Sequence, residues 1–315
     1  MDIKFSVIIP LYNASNTIGD TVQSVLNQTY KNIDLIIVND GSTDGSFDIV
    51  SKIESNNPIL RCFTQSNQGV SVARNNGITH AIGDFVIFLD SDDSLPSNAL
   101  QSFYDIISSY RDVELDVISS AVDSDLIDTR KISQKLYLRK DIFDYASKLE
   151  KGDALGYLHG KCFRRELLVR DSIKFNEDIS MSEDFFFNLD FLKSTRSAVF
   201  KNVVTYLYNS HDNSLMSKKY YDGLLQRIHL IKGFILSKDF KLVDSKSQKK
   251  FNTFLFMRMF LLLYDMKKSK KYNDIFITQR RGCLVFFLKN IRFLSIKTAL
   301  SYKLKDSIKV LTIFL

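Results

Sequence analysis

Apolar positions near the start of the chain predict an alternation of strands and helices. Four runs rich in Ile, Val and Phe, each too short for a helix, begin 25 to 29 residues apart; they span residues 5–10, 34–38, 59–63 and 85–89. The first, second and fourth runs are almost continuously apolar, which is typical of strands covered on both faces of a parallel sheet. The segments between them are therefore predicted to be helices, in an α/β doubly wound arrangement.

The spacing of apolar residues in two of the gaps supports these helices. In the first gap one apolar face repeats at helical spacing; it comprises Ile18, Val22, Val25 and Leu26. In the third gap one face is made largely of small residues, which lets a helix approach the sheet closely; it comprises Val70, Ala73, Gly77 and Ala81.

The pattern becomes less regular after residue 93, although four further elements are predicted. They are helices at residues 99–109 and 183–193 and strands at residues 117–121 and 198–207. From about residue 220 the pattern is helical, and charged residues interrupt every long apolar run, so this region can lie on a membrane but is not expected to cross one. We expect a catalytic domain at residues 1–217, with halves at 1–110 and 111–217, and a helical C-terminal region at residues 218–315.

The net charge of +7 conceals an asymmetry between these regions. The first 215 residues contain 21 Lys and Arg against 30 Asp and Glu, whereas the last 100 contain 22 against 6. The basic tail predicts contact with a polyanionic surface, and an anionic membrane is favoured over nucleic acid because no nucleic-acid-reading motif accompanies the charge. Packing of the tail against the catalytic domain, or against a second subunit in a homo-oligomer, is the alternative.

Cysteine usage and the N-terminus indicate a reducing compartment. The three cysteines, Cys62, Cys162 and Cys283, are far apart and lack metal-ligand spacing, which disfavours a disulfide framework or a zinc site. The N-terminus lacks the pattern of a secretory signal. We therefore expect a cytoplasmic protein, held peripherally at the inner face of the cell membrane.

Acidic residues follow two of the predicted strands, at the sheet edge where open α/β sheets bind ligands. Asp40 follows the second strand, and Asp90, Asp92 and Asp93 follow the fourth. Neither a G-x-G-x-x-G turn nor a P-loop motif occurs, which disfavours dinucleotide and P-loop chemistry. Three carboxylates within four residues repel one another unless a cation compensates, and Mg²⁺ or Mn²⁺ suits such oxygen ligands. An acidic turn that caps the next helix is the alternative.

Three residues near these ends are candidates for nucleotide binding. Asp40 could accept a hydrogen bond from the imide N–H of a uracil-like base, or merely stabilise its own turn. Arg74 lies at the edge of the small-residue helix face and is expected to point into the cleft, toward base or phosphate. Tyr12 could stack on the base or pack in the core.

Four segments, in their order and spacing, closely resemble the family 2 glycosyltransferases, which are inverting enzymes of GT-A fold that use nucleotide-diphospho-sugars. The segments are SVIIPLYNASNTIGDTVQSVLNQTY, LIIVNDGSTDGS, NQGVSVARNNGI and FVIFLDSDDSL, and they cover about residues 3–110. Weaker similarity continues through HGKCFRRELL, MSEDFFFNLDFL and YLYNSHDNSLM, to about residue 217. The resemblance implies a Rossmann-like, mostly parallel sheet flanked by helices.

The resemblance also implies roles for single residues. It implies that residues of the first three segments contact the donor nucleoside, which is usually uridine; they are Pro10, Tyr12, Asn13, Asp40 and Arg74. Asp90 and Asp92 match the D-x-D motif of the family, in which Asp92 is the expected metal ligand, with Asp93 adjacent. Asp184 matches the second residue of the family's E-D motif, the general base.

Asp184 also fits a base on physical grounds. Inversion at an anomeric carbon needs a base for the acceptor hydroxyl and an electrophile for the leaving diphosphate. The first turn of the predicted helix at 183–193 favours an ionised carboxylate through the partial positive charge of its amides, although acidic residues are common there for stability alone. Glu183 would contact the acceptor or support the metal shell.

Two basic residues have open interpretations. His211 lies in a polar loop after the last predicted strand, where it could reach the metal or a phosphate oxygen, or simply be solvated. Lys161 could contact acceptor phosphate, or could lie on an exposed helix face.

Together these features predict transfer of a single hexosyl or N-acetylhexosaminyl group from a UDP-sugar to a glycan acceptor. The chain contains no tryptophan and therefore lacks the Q-x-x-R-W motif of processive polysaccharide synthases. The expected acceptor is a lipid-linked oligosaccharide of capsule, exopolysaccharide or lipopolysaccharide assembly, and a protein-bound glycan is the alternative. The rival hypotheses are a sugar-nucleotide nucleotidyltransferase and a catalytically silent sugar-nucleotide-binding subunit.

Overall fold

The first part of the chain alternates strands and helices as the apolar pattern predicts. The computed structural model describes residues 2–123, 134–142, 145–146, 149, 154–179, 182–209, 231, 253, 255–256, 259, 263, 281–283 and 285. The first four strands are β1 (Phe5–Leu11), β2 (Ile33–Asp40), β3 (Leu60–Gln65) and β4 (Phe85–Phe88). The helices between them are α1 (Ile18–Leu26), α2 (Ser46–Glu54) and α3 (Val70–His80).

The second part of the sheet domain adds more strands than the sequence pattern predicts. Its elements are α4 (Ala99–Ser109), β5 (Val117–Asp123), β6 (Leu136–Leu138), β7 (Lys161–Arg164), α5 (Arg165–Arg170), α6 (Glu183–Ser194) and β8 (Ser197–Leu207). Each predicted element is present to within two residues at either end. The sequence pattern does not predict β6, β7 and α5. Strand β6 and helix α5 are too short to show a repeat of apolar positions, and β7 forms only through its pairing with β4 and β5.

The eight strands found among the described residues form one sheet in the order β3-β2-β1-β4-β7-β5-β8-β6. The pairs among β1 to β4 are parallel, and so is the pair β5 and β8. Strand β7 runs antiparallel between β4 and β5, and β6 runs antiparallel to β8. The mostly parallel sheet is therefore confirmed. Because β1, β2 and β4 run in one direction, their carboxyl ends meet at one edge.

Helix α3 lies unusually close to the sheet. A Cβ atom added at Gly77 would lie 2.3 Å from Cγ2 of Ile8 in β1, closer than real Cβ contacts allow. Ala73 and Ile78 are buried on the same helix, whereas Val70 in its first position is exposed. The small residues of this helix face thus serve the close approach that the sequence predicts.

Aromatic packing fixes α6 on the sheet. The ring of Phe187 in α6 meets Phe88 of β4 edge-to-face at 5.5 Å and Phe163 of β7 at 5.4 Å. It also stacks on Phe175 at 4.1 Å. Such pairs stabilise beyond their buried area, so the first turn of α6 has a defined position.

The chain divides into two compact units, Met1–Asp212 and Asn213–Leu315. The described residues of the second unit include four buried apolar side chains at helical spacing: Leu255, Phe256, Met259 and Leu263. Within the described residues, no helix has both the length and the apolar character needed to cross a bilayer. Most of the predicted region 218–315 lies outside the described residues.

The close approach of α3 can be tested with two helical glycines. Gly77→Ala should lower the free energy of unfolding by about 1–3 kcal/mol, because the added methyl overpacks against Ile8. Gly19→Ala in α1 is the matched control: its Cβ would meet only Ile49 at 3.9 Å, and it should stabilise by up to about 1 kcal/mol through helix propensity. Urea denaturation measures both. Equal effects of the two substitutions would contradict the tight contact.

Candidate active site

The sheet edge at the ends of β1, β2 and β4 is where acidic residues from both halves of the domain meet. Asp40 is the last residue of β2, and Asp90 follows β4 closely. Asp184 is the second residue of α6. Asp90 and Asp184 come together because both bind the side chain of Arg74 on α3.

Arg74 is the centre of this arrangement. One terminal nitrogen, Nη1, donates to Asp184 Oδ1 at 2.8 Å and to Glu183 Oε1 at 3.4 Å. The other, Nη2, donates to Asp90 Oδ1 at 2.8 Å. Only 4% of the residue is exposed. Arg74 therefore pairs with three carboxylates while its own side chain is shielded from water, and its predicted contact with a nucleoside remains a prediction.

The ionisation of Asp184 differs from what its helix position alone predicts. The first turn of a helix favours the ionised carboxylate, but burial acts in the opposite direction and raises the pKa of Asp184 to about 7. Arg74 lowers this pKa, and the nearby charges of Glu183 and Asp90 raise it again. A carboxylate in this state can both accept and release a proton near neutral pH.

The pKa values of Asp90 and Asp93, three residues apart, are shifted in opposite directions. Burial acts to raise the pKa of Asp90, but the charge of Arg74 and the hydrogen bond from His159 outweigh it and hold the pKa well below its usual range. Burial raises the pKa of Asp93 to about 6, against hydrogen bonds from Tyr206 Oη at 2.6 Å and the Asn209 amide at 2.9 Å.

A group of three side chains has the chemistry of a divalent-metal site. Asp90, Asp93 and His159 each offer one ligand atom, and these atoms lie within 4.8 Å of one another. Nε2 of His159 lies 3.3 Å from Asp90 Oδ2, and its Nδ1 is buried without a hydrogen-bond partner among the described residues. Two carboxylate oxygens and an imidazole nitrogen fit Mn²⁺. Asp92, the expected ligand, is exposed and lies outside this group, so its role stays a prediction.

His159 is the site residue that the sequence reasoning missed. It opens the segment HGKCFRRELL, which carries part of the family resemblance, but no local pattern indicates that it faces the acidic cluster. Its ring stacks on Tyr206, with the centroids 4.5 Å apart, and the hydroxyl of Tyr206 binds Asp93. The signal available in the sequence is a histidine at the start of a segment that carries part of the family resemblance.

Asp40 accepts hydrogen bonds from the end of β3 and from the turn that leads into α3. Its Oδ1 accepts hydrogen bonds from Gln65 Nε2 at 2.9 Å and from the Gln68 amide at 2.8 Å, and its Oδ2 accepts one from the Gly69 amide at 2.7 Å. Gly69 has a φ of +93°, which favours glycine at this turn into α3. Asp40 thus stabilises a turn, although not its own, and its predicted contact with a base stays a prediction.

The loop after β1 is hydrogen-bonded to the loop after β2, beside Asp40. Tyr12 is 50% exposed, so the alternative of a core aromatic is wrong. Asn13 joins two loops: its amide donates to Ser42 Oγ at 3.1 Å, and its Oδ1 accepts from the Thr43 amide at 2.8 Å. Pro10 is buried within β1. An exposed ring held by a rigid loop is available for stacking.

Of the two basic residues whose roles the sequence leaves open, the structure describes only Lys161. Lys161 lies in β7 between two neighbouring strands and is 2% exposed, so the interpretation as an exposed helix face is wrong. Its ammonium donates to the carbonyl oxygen of Tyr157, inside the domain. A role of Lys161 in binding acceptor phosphate stays a prediction, and this buried contact does not support it. His211 lies outside the described residues.

Replacing the buried cation tests whether it holds the carboxylates together. Arg74→Met should lower the free energy of unfolding at pH 8 by at most about 3–5 kcal/mol, because it leaves three partly buried carboxylates without a counter-charge. The loss should shrink toward pH 5, because the carboxylates take up protons when their pKa values rise. Urea denaturation across this pH range measures the effect.

Arg170→Met is the control for the loss of an arginine. Arg170 pairs with Asp171 at 2.8 Å on the surface, where solvent screens the pair, so its loss should change stability little. A pH-independent loss in Arg74→Met, or a loss no larger than that of the control, would contradict the central position of Arg74.

Comparison with known proteins places these residues in a family. The model of the family described as "Glycosyl transferase family 2" matches residues 6–170. The uncharacterized glycosyltransferase YibD of Escherichia coli is 32% identical over 66% of this chain and 62% of its own length. The minor teichoic acid biosynthesis protein GgaA of Bacillus subtilis is 27% identical over 92% of this chain and 66% of its own length. The chain thus spans about two thirds of the length of these relatives.

Solved structures show the same fold. Residues 1–349 of TarS from S. aureus, in complex with UDP, align with a TM-score of 0.66 at 20% identity, covering 99% of this chain and 89% of that one. The sheet is accordingly similar to that of GT-A glycosyltransferases. Since the family model covers more than half of the chain, including Arg74 and Asp90, the protein belongs to glycosyl transferase family 2.

Proposed function

We propose that this protein transfers a single sugar from a UDP-sugar to a glycan acceptor, with inversion at the anomeric carbon. The observation that carries the proposal is the meeting of Asp184 with Asp90 at Arg74. It places one carboxylate that can accept a proton beside another that stays ionised, at the edge where such sheets bind ligands. The hexosyl or N-acetylhexosaminyl nature of the sugar is part of the proposal.

The nucleoside is proposed to bind at the loops after β1 and β2. Tyr12 offers an exposed ring for stacking, and Asn13 holds its loop in place. Pro10, Asp40 and Arg74 are the other proposed nucleoside contacts, although all three are buried in this structure. Support for a UDP-sugar comes from TarS, whose structures were solved with UDP and with UDP-GlcNAc.

A divalent ion, Mn²⁺ or Mg²⁺, is proposed to sit against the D-x-D segment. Asp90, Asp93 and His159 fit it, with Asp92 and His211 as further proposed ligands. Such an ion would neutralise the charge that develops on the leaving diphosphate. A mannosyltransferase of the same fold from Pyrobaculum calidifontis was solved with GDP-Man and Mn²⁺, at a TM-score of 0.54.

Asp184 is proposed to act as the general base. Burial keeps its carboxylate poorly solvated, and Arg74 fixes one of its oxygens, which leaves the other to take the proton of the acceptor hydroxyl. Glu183 lies beside it and holds Arg74 less closely, so we assign it to the acceptor or to support of the metal shell. Nothing comparable favours the rival nucleotidyltransferase or a silent subunit, since the proposed base and metal-binding carboxylates are all retained.

The acceptor is proposed to be lipid-linked and to lie at the inner face of the cell membrane. The charge of the last 100 residues, 22 basic against 6 acidic, suits an anionic membrane surface. The relationship to a teichoic acid biosynthesis protein supports a role in cell-surface polysaccharide assembly. A protein-bound glycan is the alternative acceptor, and contact of the tail with the catalytic domain, residues 1–217, or with a second subunit is the alternative for the tail.

Substitution of the proposed base tests this function. Asp184→Asn preserves shape but removes the proton acceptor, so turnover should fall by about 10²–10⁴-fold while the Kd for UDP stays within about 3-fold. Turnover is measured as UDP released during transfer to lipid-linked glycan, and UDP affinity by calorimetry. Asp190→Asn, on a half-exposed position of the same helix where the side chain pairs with Lys193, should leave both unchanged. Near-normal turnover in Asp184→Asn would remove it as the base, and release of pyrophosphate would favour the nucleotidyltransferase.

The pH profile gives a second test of the same residue. Because Asp184 must be ionised to act as a base, kcat of the unsubstituted protein should rise as the pH increases through about 7. The residual rate of Asp184→Asn should lack this rise. A rise that persists in the variant would assign it to another group.

A further inference from the structure

His159 lies in the segment of residues 154–160. This segment is hydrogen-bonded by the buried side-chain amide of a residue that is not one of the proposed metal ligands. Asn188 lies on α6, one helical turn after Asp184, and is buried. Its Nδ2 donates to the carbonyl oxygens of Leu155 at 2.9 Å and Tyr157 at 3.0 Å. The helix that presents Asp184 is therefore hydrogen-bonded to the segment that presents His159.

The same carbonyl oxygen has a second buried donor. The ammonium of Lys161 also donates to the carbonyl of Tyr157, and a carbonyl oxygen has two lone pairs, so both are used. The surroundings of Lys161 include Val117, Leu155 and Phe191. Asn188 is a polar neighbour, and burial lowers the pKa of Lys161 to about 7 against the charge of Asp184. An amino group in such surroundings is unfavourable compared with an apolar side chain of the same size unless it is hydrogen-bonded, and the contact with Tyr157 provides that bond.

Hydrogen bonds of similar length also fix the other end of the segment, at Gly160. Both the amide and the hydroxyl of Ser120 in β5 donate to the carbonyl oxygen of Gly160, at 2.8 and 2.9 Å. Gly160 has a φ of +64°, and a Cβ there would lie 2.9 Å from Val122. The segment has hydrogen bonds at both ends, and His159 lies between them.

The held residues set the direction of the His159 ring. The ring lies between Tyr157 and Tyr206, with centroids 5.5 and 4.5 Å away and interplanar angles of 19° to both. In this orientation Nε2 lies 3.3 Å from Asp90 Oδ2 and 4.0 Å from Asp93 Oδ2. A displaced Tyr157 would release one face of the imidazole.

We propose that Lys161 and Asn188 are positioning residues, which hold Tyr157 so that His159 faces Asp90 and Asp93. They act through His159 on the binding of a divalent ion and of the donor diphosphate. The inference rests on the proposed function, since it gives the two residues a part in metal and donor binding. It replaces contact with an acceptor as the role of Lys161.

A double-mutant cycle tests the dependence on His159. The variants are Lys161→Met, His159→Phe, which keeps a stacked ring, and the two combined. Binding of Mn²⁺ alone is measured by electron paramagnetic resonance, and circular dichroism verifies folding. Each single substitution should weaken Mn²⁺ binding by about 10-fold or more, as is typical when residues behind metal ligands are changed. The combination should weaken it no further than His159→Phe does, because both act through one ring.

Asn188→Ala enters the same cycle, so that the test does not depend on the folding of the Lys161 variant. Arg139→Met is the matched control: Arg139 donates to the carbonyl oxygens of Leu192 and Thr195 at the far end of α6, and its loss should leave Mn²⁺ binding unchanged.

Three outcomes overturn the inference: unchanged Mn²⁺ affinity in folded Lys161→Met or Asn188→Ala, losses that add to that of His159→Phe, or an equal loss in Arg139→Met. An unsubstituted protein that binds UDP but no Mn²⁺ also overturns it and leaves sugar transfer standing. If the combined loss equals that of His159→Phe in a protein that binds Mn²⁺ but no UDP, the role of the two residues in metal binding is supported, and the proposed donor and their effect on it are contradicted.

Discussion

A single buried guanidinium holds three carboxylates that come from distant parts of the chain. Arg74 lies on α3 and Asp90 follows β4, whereas Glu183 and Asp184 begin α6, more than 100 residues after Arg74. Without a cation at this position the carboxylates would repel one another where little water screens them. The charge of Arg74 therefore sets the spacing between the segment proposed to bind the donor and the helix proposed to carry the base.

The fold places this charge by close packing. Gly77 lets α3 lie directly on β1, and this fixes the height of Arg74 above the sheet. The guanidinium lies over the ring of Phe175 at 5.3 Å, and Phe175 stacks on Phe187 of α6. The aromatic layer thus supports the cation and the helix with its carboxylates together, so that neither can shift without the other.

The sequence predicts those features of the fold and the site that adjacent residues determine. The strands of the first half and the positions of Asp90 and Asp184 follow from apolar runs and short motifs, because a strand end or a helix start is encoded by adjacent residues. The burial of Lys161 and the place of His159 are different, since they arise when β7 pairs with β4 and β5. The raised pKa of Asp184 likewise comes from burial by residues far away in sequence. Long-range packing, which no single segment encodes, accounts for these differences.

The configuration of the product tests the proposed chemistry most directly. If Asp184 takes the acceptor proton while the sugar leaves its diphosphate in one displacement, an α-linked UDP-sugar must give a β-linked product. The one-bond and vicinal couplings of the anomeric proton in the NMR spectrum of the purified product distinguish the two configurations. A β-linkage is the expected result. An α-linked product would require a different mechanism and would contradict the role of Asp184 as the base of a single displacement.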